Sequence, residues 1–227
     1  MNVIPQIVKD GFVRLVGPIA RAFIRAGIRP NVITTVGTLI VVASGVAFGF
    51  GRVRLGGLLL LASGVFDILD GQVARQGGMM TTFGAFYDST LDRVGEAAVF
   101  AGLAIYFERG GVPADKQTWA LGLALAALAM SMLVSYARAR AEGLGLECKV
   151  GIAPRAERIL LLGAPVLLFG SGRHGMLLFW IVAILALAAT ITVVQRIVYV
   201  ARIADTAPRQ PVKRETLPGV ATRRKGH

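Results

Sequence analysis

Six predominantly apolar stretches, at 31–50, 55–75, 83–107, 118–138, 157–170 and 176–198, occupy most of this 227-residue chain. About 20 such residues are needed for a helix to cross the hydrocarbon core of a bilayer; the fifth stretch is the short one. Runs of this length and apolarity are read as membrane-crossing helices. A mean hydropathy of +0.65 with only 17% charged residues argues against a soluble domain. The same composition excludes disorder over most of the chain. Cys148 is the single cysteine, which excludes a disulfide scaffold. The first apolar run follows a basic stretch and lacks a short core with a small-residue cleavage site, so no cleaved signal peptide is expected. The expectation is an all-α, polytopic membrane protein with six transmembrane helices.

The 25 lysines and arginines set its orientation. Five precede the first span, five (Arg138, Arg140, Lys149, Arg155 and Arg158) surround the loop after the fourth, and eight run from Arg196 to the end. The opposite side holds five, Arg52, Arg54, Arg109, Lys116 and Arg173, and Arg75 and Arg93 sit in charged spans. The positive-inside rule then places both termini in the cytoplasm, as an even span number requires, in the cell membrane. Nucleic-acid binding is a poor reading of the net charge of +12, because the charge follows topology. Residues 1–30 form a separate N-terminal segment. In it Ile7, Val8, Phe12, Leu15, Ile19 and Phe23 recur at helical spacing, with Lys9, Arg14, Arg21 and Arg25 elsewhere on the wheel. This pattern predicts an amphipathic helix, lying either along the membrane interface or against the bundle. Residues 31–200 hold the spans. Residues 201–227 are proline-bearing and charged, the pattern of a disordered tail.

The most informative stretch runs from Phe66 to Glu96, FDILDGQVARQGGMMTTFGAFYDSTLDRVGE. Asp67 and Asp70 are three apart, and Asp88 and Asp92 four apart, so each pair projects from one helix face. A turn at Gly77-Gly78 would bring the two faces together. Four carboxylates at one end of a membrane bundle are costly without partners. Two divalent cations would balance them. All-oxygen donors favour Mg²⁺ or Mn²⁺ over zinc, since His174 and His227 are distant. Gly71 and Gly84 remove side chains beside the aspartates, where a ligand could approach. Arg75 adds a cationic fork for phosphate. The assembly reads as a site for a metal-bound diphosphate.

Asp67, Asp70, Gly71, Ala74, Arg75, Gly84, Asp88 and Asp92 fit the pattern D-x2-D-G-x2-A-R-x8-G-x3-D-x3-D without a gap. In this the chain resembles the CDP-alcohol phosphotransferases. That resemblance implies transfer of a phosphatidyl or related group from a CDP-linked donor to an acceptor hydroxyl, with release of CMP. It further implies two metal ions on Asp67, Asp70 and Asp88, with Asp92 also near them and acting as the catalytic base. Asn31 and Thr34, in the P-N-V-I-T segment opening the first span, match nucleotide contacts of the family. With Asp67, Gly71, Arg75, Thr81 and Gly84 they make up the implied CDP-binding set. The family commonly forms homodimers.

The acceptor must be read from the second half. Basic residues around a cytoplasmic pocket suit an acceptor bearing its own phosphate, or they are ordinary positive-inside arginines. The S-Y-A-R-A-R-A-E and R-A-E-R runs, with Arg196, resemble phosphatidylinositol phosphate synthases of the prokaryotic type. The resemblance implies that Arg138, Arg155 and Arg196 hold inositol phosphate and that the donor is CDP-diacylglycerol. Phosphatidylglycerophosphate synthase, using glycerol 3-phosphate, is the nearest alternative. A cation transporter with the four aspartates as an ion path is the alternative from another class; the chain lacks the internal repeat such proteins often carry. Arg93 and Glu96 are expected to form a structural pair, and Gly95 and Ala98 to serve either helix packing or a dimer face.

Overall fold

The computed structural model describes residues 6–152 and 154–204, and every regular element among them is helical. In chain order these are α1 (Gln6–Arg25), α2 (Pro30–Gly49), α3 (Val53–Gln76), α4 (Thr82–Tyr106), α5 (Ala114–Gly143), α6 (Arg155–Phe169) and α7 (Met176–Ala204). A π turn at Phe107–Gly111 follows α4, and a 3₁₀ turn at Arg173–Gly175 leads into α7. The six apolar stretches of the sequence thus correspond to α2 through α7. Three helices, Pro30–Gly49, Ala114–Gly143 and Arg173–Ala204, are long and apolar enough to cross a membrane. α3 and α4 carry the carboxylates and arginines of the charged stretch. α6, with 15 residues, rises only about 22 Å. Residues 201–204 continue α7 rather than opening the tail, and the rest of the expected tail lies outside the described residues.

Local sequence explains the element ends nearest the charged stretch. Gly27 takes a left-handed φ of +69° after α1, and the Ile28 N–H reaches back to the Phe23 carbonyl at 3.0 Å. Pro30 opens α2, where its missing N–H removes no helical bond. Between α3 and α4, Gly78 at φ +62° turns the chain, and the Met79 N–H closes onto the Ala74 carbonyl at 2.9 Å. Thr81 then caps α4, its hydroxyl accepting the Gly84 N–H at 2.9 Å.

α2 packs against both α3 and α4, α5 against α7, and α3 against α6. The α2–α4 crossing is a contact between backbones. A Cβ at Gly102 would run into the Gly45 carbonyl, and one at Gly45 into the Ala98 carbonyl. A Cβ at Gly95 would lie 2.6 Å from Val41 Cγ1. Small residues allow such approach where lipid offers no hydrophobic drive between helices. Phe48, Leu103, Phe107, Val166 and Leu178 fill the main core. Val16 and Ala20 of α1 are buried with Ile33, Leu69 and Val73, so this part of α1 packs onto the bundle. The starts of α2, α4 and α6 and the ends of α3, α5 and α7 gather at one end of the bundle, where the charged stretch lies.

Candidate active site

Asp67 and Asp70 occupy the later turns of α3, and Asp88 and Asp92 the early turns of α4. One oxygen each from Asp67, Asp70 and Asp88 lies within 4.8 Å of the others. Asp70 is the buried member at 7% exposure, and the Thr34 hydroxyl of α2 donates to its Oδ2 at 2.7 Å. Asp92 stands beside this trio. Its Oδ1 accepts from Arg155, and Arg93 Nη2 lies 3.6 Å from its Oδ2. The same Arg155 nitrogen reaches Asp67 Oδ1 and Oδ2 at 2.8 and 2.7 Å.

Three hard oxygen donors without histidine or cysteine fit a divalent cation of the Mg²⁺ or Mn²⁺ kind. Like charges this close repel strongly inside a helix bundle, and a shared cation turns that repulsion into binding. Thr34 fixes one donor in advance, which favours a formed site over one assembled on binding.

A cavity of about 140 Å³ opens beside the trio. Asn31, Thr34, Asp70, Gly71, Thr81, Gly84 and Asp88 all border it, with Met79 and Met80 in its wall. Five of the residues expected to hold a CDP group therefore share one space: Asn31, Thr34, Gly71, Thr81 and Gly84. Gly84 keeps that wall thin, since a Cβ there would lie 3.4 Å from Asn31 Oδ1. Arg75 is exposed, and a Cβ at Gly71 would meet its Nη1 at 3.1 Å, so the glycine leaves the guanidinium room. Asp67 borders a smaller adjoining space with Asp92 and Arg155, sharing Thr34 and Asp70 with the first. The Thr81 hydroxyl is engaged as the α4 cap.

The three arginines expected around an acceptor phosphate take different positions. Arg155 joins the aspartates. Arg138 is exposed and pairs with Glu142 at 2.8 Å. Arg196 donates through Nε to the Val150 carbonyl at 3.0 Å and through Nη1 to the Val134 carbonyl. Arg138 and Arg196 thus share the α5–α7 side of this end, and Arg155 the α3–α4 side. Sequence reasoning counted Arg158 in the basic cluster but gave it no place in the site. Its Nη2 meets Glu96 Oε1 at 2.5 Å and its Nη1 donates to Ser131 at 2.9 Å. The available signal was its spacing of three from Arg155 on the same helix, which puts both on one face. The expected Arg93–Glu96 pair is present at 3.2 Å.

The profile of the CDP-alcohol phosphatidyltransferase family matches residues 28–192. A phosphatidylinositol phosphate synthase of Cutibacterium acnes is 40% identical over 206 residues, covering 87% of this chain and 98% of its own. An archaetidylinositol phosphate synthase of Methanothermobacter thermautotrophicus is 37% identical, covering 81% and 91%. Among solved structures, the Mycobacterium tuberculosis phosphatidylinositol phosphate synthase with CDP-DAG bound superposes with a TM-score of 0.72. It is 34% identical, over 82% of this chain and 94% of that one. The same enzyme in complex with manganese and citrate gives 0.71 at 33% identity, over 81% and 88%.

Proposed function

The chain belongs to the CDP-alcohol phosphatidyltransferase family, and from that membership we propose that it moves a phosphatidyl group from CDP-diacylglycerol to inositol phosphate. The products are phosphatidylinositol phosphate and CMP. The observation that carries this reading is the meeting of Asp67, Asp70 and Asp88 beside a cavity bordered by Asn31, Gly71 and Gly84. The names borne by the relatives favour inositol phosphate over glycerol 3-phosphate as acceptor.

Asp67, Asp70 and Asp88 would hold two ions of Mg²⁺ or Mn²⁺, with Asp92 at their edge. Such ions neutralise charge that develops on a leaving phosphate. Asn31, Thr34, Gly71, Thr81 and Gly84 shape the cytidine diphosphate cavity, and Arg75 and Asp67 flank it. Arg138, Arg155 and Arg196 bind the acceptor's phosphate by charge-assisted hydrogen bonds. The acceptor oxygen attacks the phosphorus of the phosphatidyl group and the bond to CMP breaks. The acceptor's proton passes to Asp92, the catalytic base. Direct attack needs no phosphorylated residue.

In the membrane, residues 31–200 form the six-span catalytic unit, with the shorter α6 and the charged α3 and α4 completing the spans among their neighbours. Residues 1–30 would lie at the interface through α1, and the chain leaves α7 on the cytoplasmic side. Eighteen basic residues on the active-site side support cytoplasmic termini and a cytoplasmic site in the cell membrane. The lipid tails of donor and product then remain in the bilayer while the soluble acceptor arrives from the cytoplasm. The family resemblance supports a homodimer.

The test is CMP release by the purified protein with CDP-diacylglycerol and Mg²⁺, offering inositol phosphate, free inositol, glycerol 3-phosphate and serine in parallel. Release stimulated by inositol phosphate alone is expected. Stimulation by glycerol 3-phosphate would transfer the chain to the other acceptor class, and no release with any acceptor would refute the reaction.

A further inference from the structure

Beyond the aspartates, a line of charged side chains continues away from the candidate metal site. Asp67 is joined to Arg155, Arg155 to Asp92, Asp92 to Arg93, Arg93 to Glu96, Glu96 to Arg158, and Arg158 to Ser131. Acid and base alternate throughout, and the line ties α3, α4, α5 and α6 together. Its three carboxylates and three guanidiniums cancel in formal charge. Asp70 and Asp88 stand outside it, and Asp67 belongs both to it and to the aspartate trio.

The far end of the line is its most enclosed part. The side chains of Glu96 and Arg158 are only 10% and 11% exposed. Glu96 presents its two oxygens to two arginines: Oε1 meets Arg158, while the buried Oε2 lies 3.2 Å from Arg93 Nη1 as an ion pair without a hydrogen bond. Arg93 in turn divides its two terminal nitrogens between Glu96 and Asp92. The Nε atoms of Arg93, Arg155 and Arg158 are buried without hydrogen-bond partners. These guanidiniums are therefore held through their terminal nitrogens, and their aim depends on the carboxylates they meet. A cavity of about 40 Å³ bordered by Glu96, Arg155 and Arg158 lies alongside, so the packing there does not by itself fix them.

We propose that Glu96 and Arg158 are positioning residues for Asp92. Arg158, anchored on Ser131 of α5, fixes Glu96. Glu96 draws one arm of Arg93 toward itself, which leaves the other arm to one oxygen of Asp92. With Arg155 on the other oxygen, Asp92 is held from both sides and cannot turn its carboxylate freely. Removing the charge at Glu96 releases Arg93 to close fully on Asp92 and pull it off line. This inference rests on the proposed reaction, in which Asp92 takes the acceptor's proton; Glu96 and Arg158 touch no reacting atom.

The experiment compares Glu96→Gln, Arg158→Gln and the double variant with wild type in full-length protein. It reads kcat, both KM values, Mn²⁺ affinity and CDP-diacylglycerol binding on the same samples. Misplacing a reacting group by about 1 Å can cost about 100-fold, so kcat is expected to fall between about tenfold and 100-fold. Both KM values and Mn²⁺ affinity should stay within about twofold, and the double variant should be no worse than the poorer single one, as for residues in one network. Glu96→Asp, which keeps the charge but withdraws it by one methylene, should recover part of the loss and serves if Glu96→Gln does not fold. A folded Glu96→Gln enzyme with wild-type kcat would overturn the inference. So would a fall in kcat matched by equal losses of donor and Mn²⁺ binding, or a change confined to acceptor KM. Those outcomes leave the proposed reaction standing. A wild type inert with every acceptor overturns both.

Discussion

Replacing Arg155 with alanine should move metal and acceptor binding in opposite directions. One nitrogen of Arg155 sits 2.7–2.8 Å from both oxygens of Asp67 and also contacts Asp92. A cation seeking an Asp67 oxygen must compete with that guanidinium. A hydrogen bond to a charged partner contributes about 1.5–3 kcal/mol. The Asp67 side chain is 37% exposed, so solvent screens its share and the lower end applies. Losing about 1.5 kcal/mol of competition corresponds to roughly tenfold tighter Mn²⁺ binding. Titration calorimetry in detergent micelles, checked by the resonance signal of free Mn²⁺, reads this directly. Thermal unfolding supplies a second readout. Arg155→Ala leaves Asp67 and Asp92 without their shared cation, so the metal-free variant should melt below wild type and gain more from added Mn²⁺. In turnover assays the acceptor KM should rise far more than the donor KM if Arg155 also meets the acceptor's phosphate. Unchanged or weaker Mn²⁺ binding by a folded variant would refute the competition argument.

Three further outcomes follow from the geometry. Asp92→Asn should abolish transfer while leaving Mn²⁺ and CDP-diacylglycerol binding largely intact; near-normal turnover would remove Asp92 from the base role. Thr34→Val keeps the shape but removes the 2.7 Å donation to buried Asp70, and the loss of about 1.5 kcal/mol should weaken Mn²⁺ binding about tenfold, measured by the same calorimetry. Gly102→Ala drives a methyl into the Gly45 carbonyl and should cost about 1–3 kcal/mol, read as a lower melting temperature, with Gly122→Ala as a control because a Cβ there meets nothing within 4 Å.

The helical architecture was legible because all but the fifth apolar run are long and several of their ends are punctuated. Pro30, Gly27 and Gly77-Gly78 stop or start helices for local backbone reasons that need no knowledge of the fold. The aspartate trio was legible for a similar reason: spacings of three and four on consecutive antiparallel helices leave the carboxylates one place to meet. Arg155 was not legible in this way. Its partner Asp67 is 88 residues away. Only the packing of α6 on α3 brings the two together, and no local pattern encodes which helix a sixth element will choose.

Charge placement on α4 shows how this division works within one helix. Asp88, Asp92 and Glu96 recur every fourth residue and form a single acidic face, which the sequence states plainly. Their environments then diverge according to what each turn of the helix faces. Asp88 borders the open cavity, Asp92 lies between two arginines, and Glu96 is enclosed against α6. The first can be given to a metal, the second has both oxygens constrained, and the third is fixed by partners that touch no cavity for substrate. On the proposed reaction, repetition of one residue class along a helix would serve as a ligand, a base and a support in succession. Periodicity supplies the face, and the depth of each turn in the bundle supplies the role.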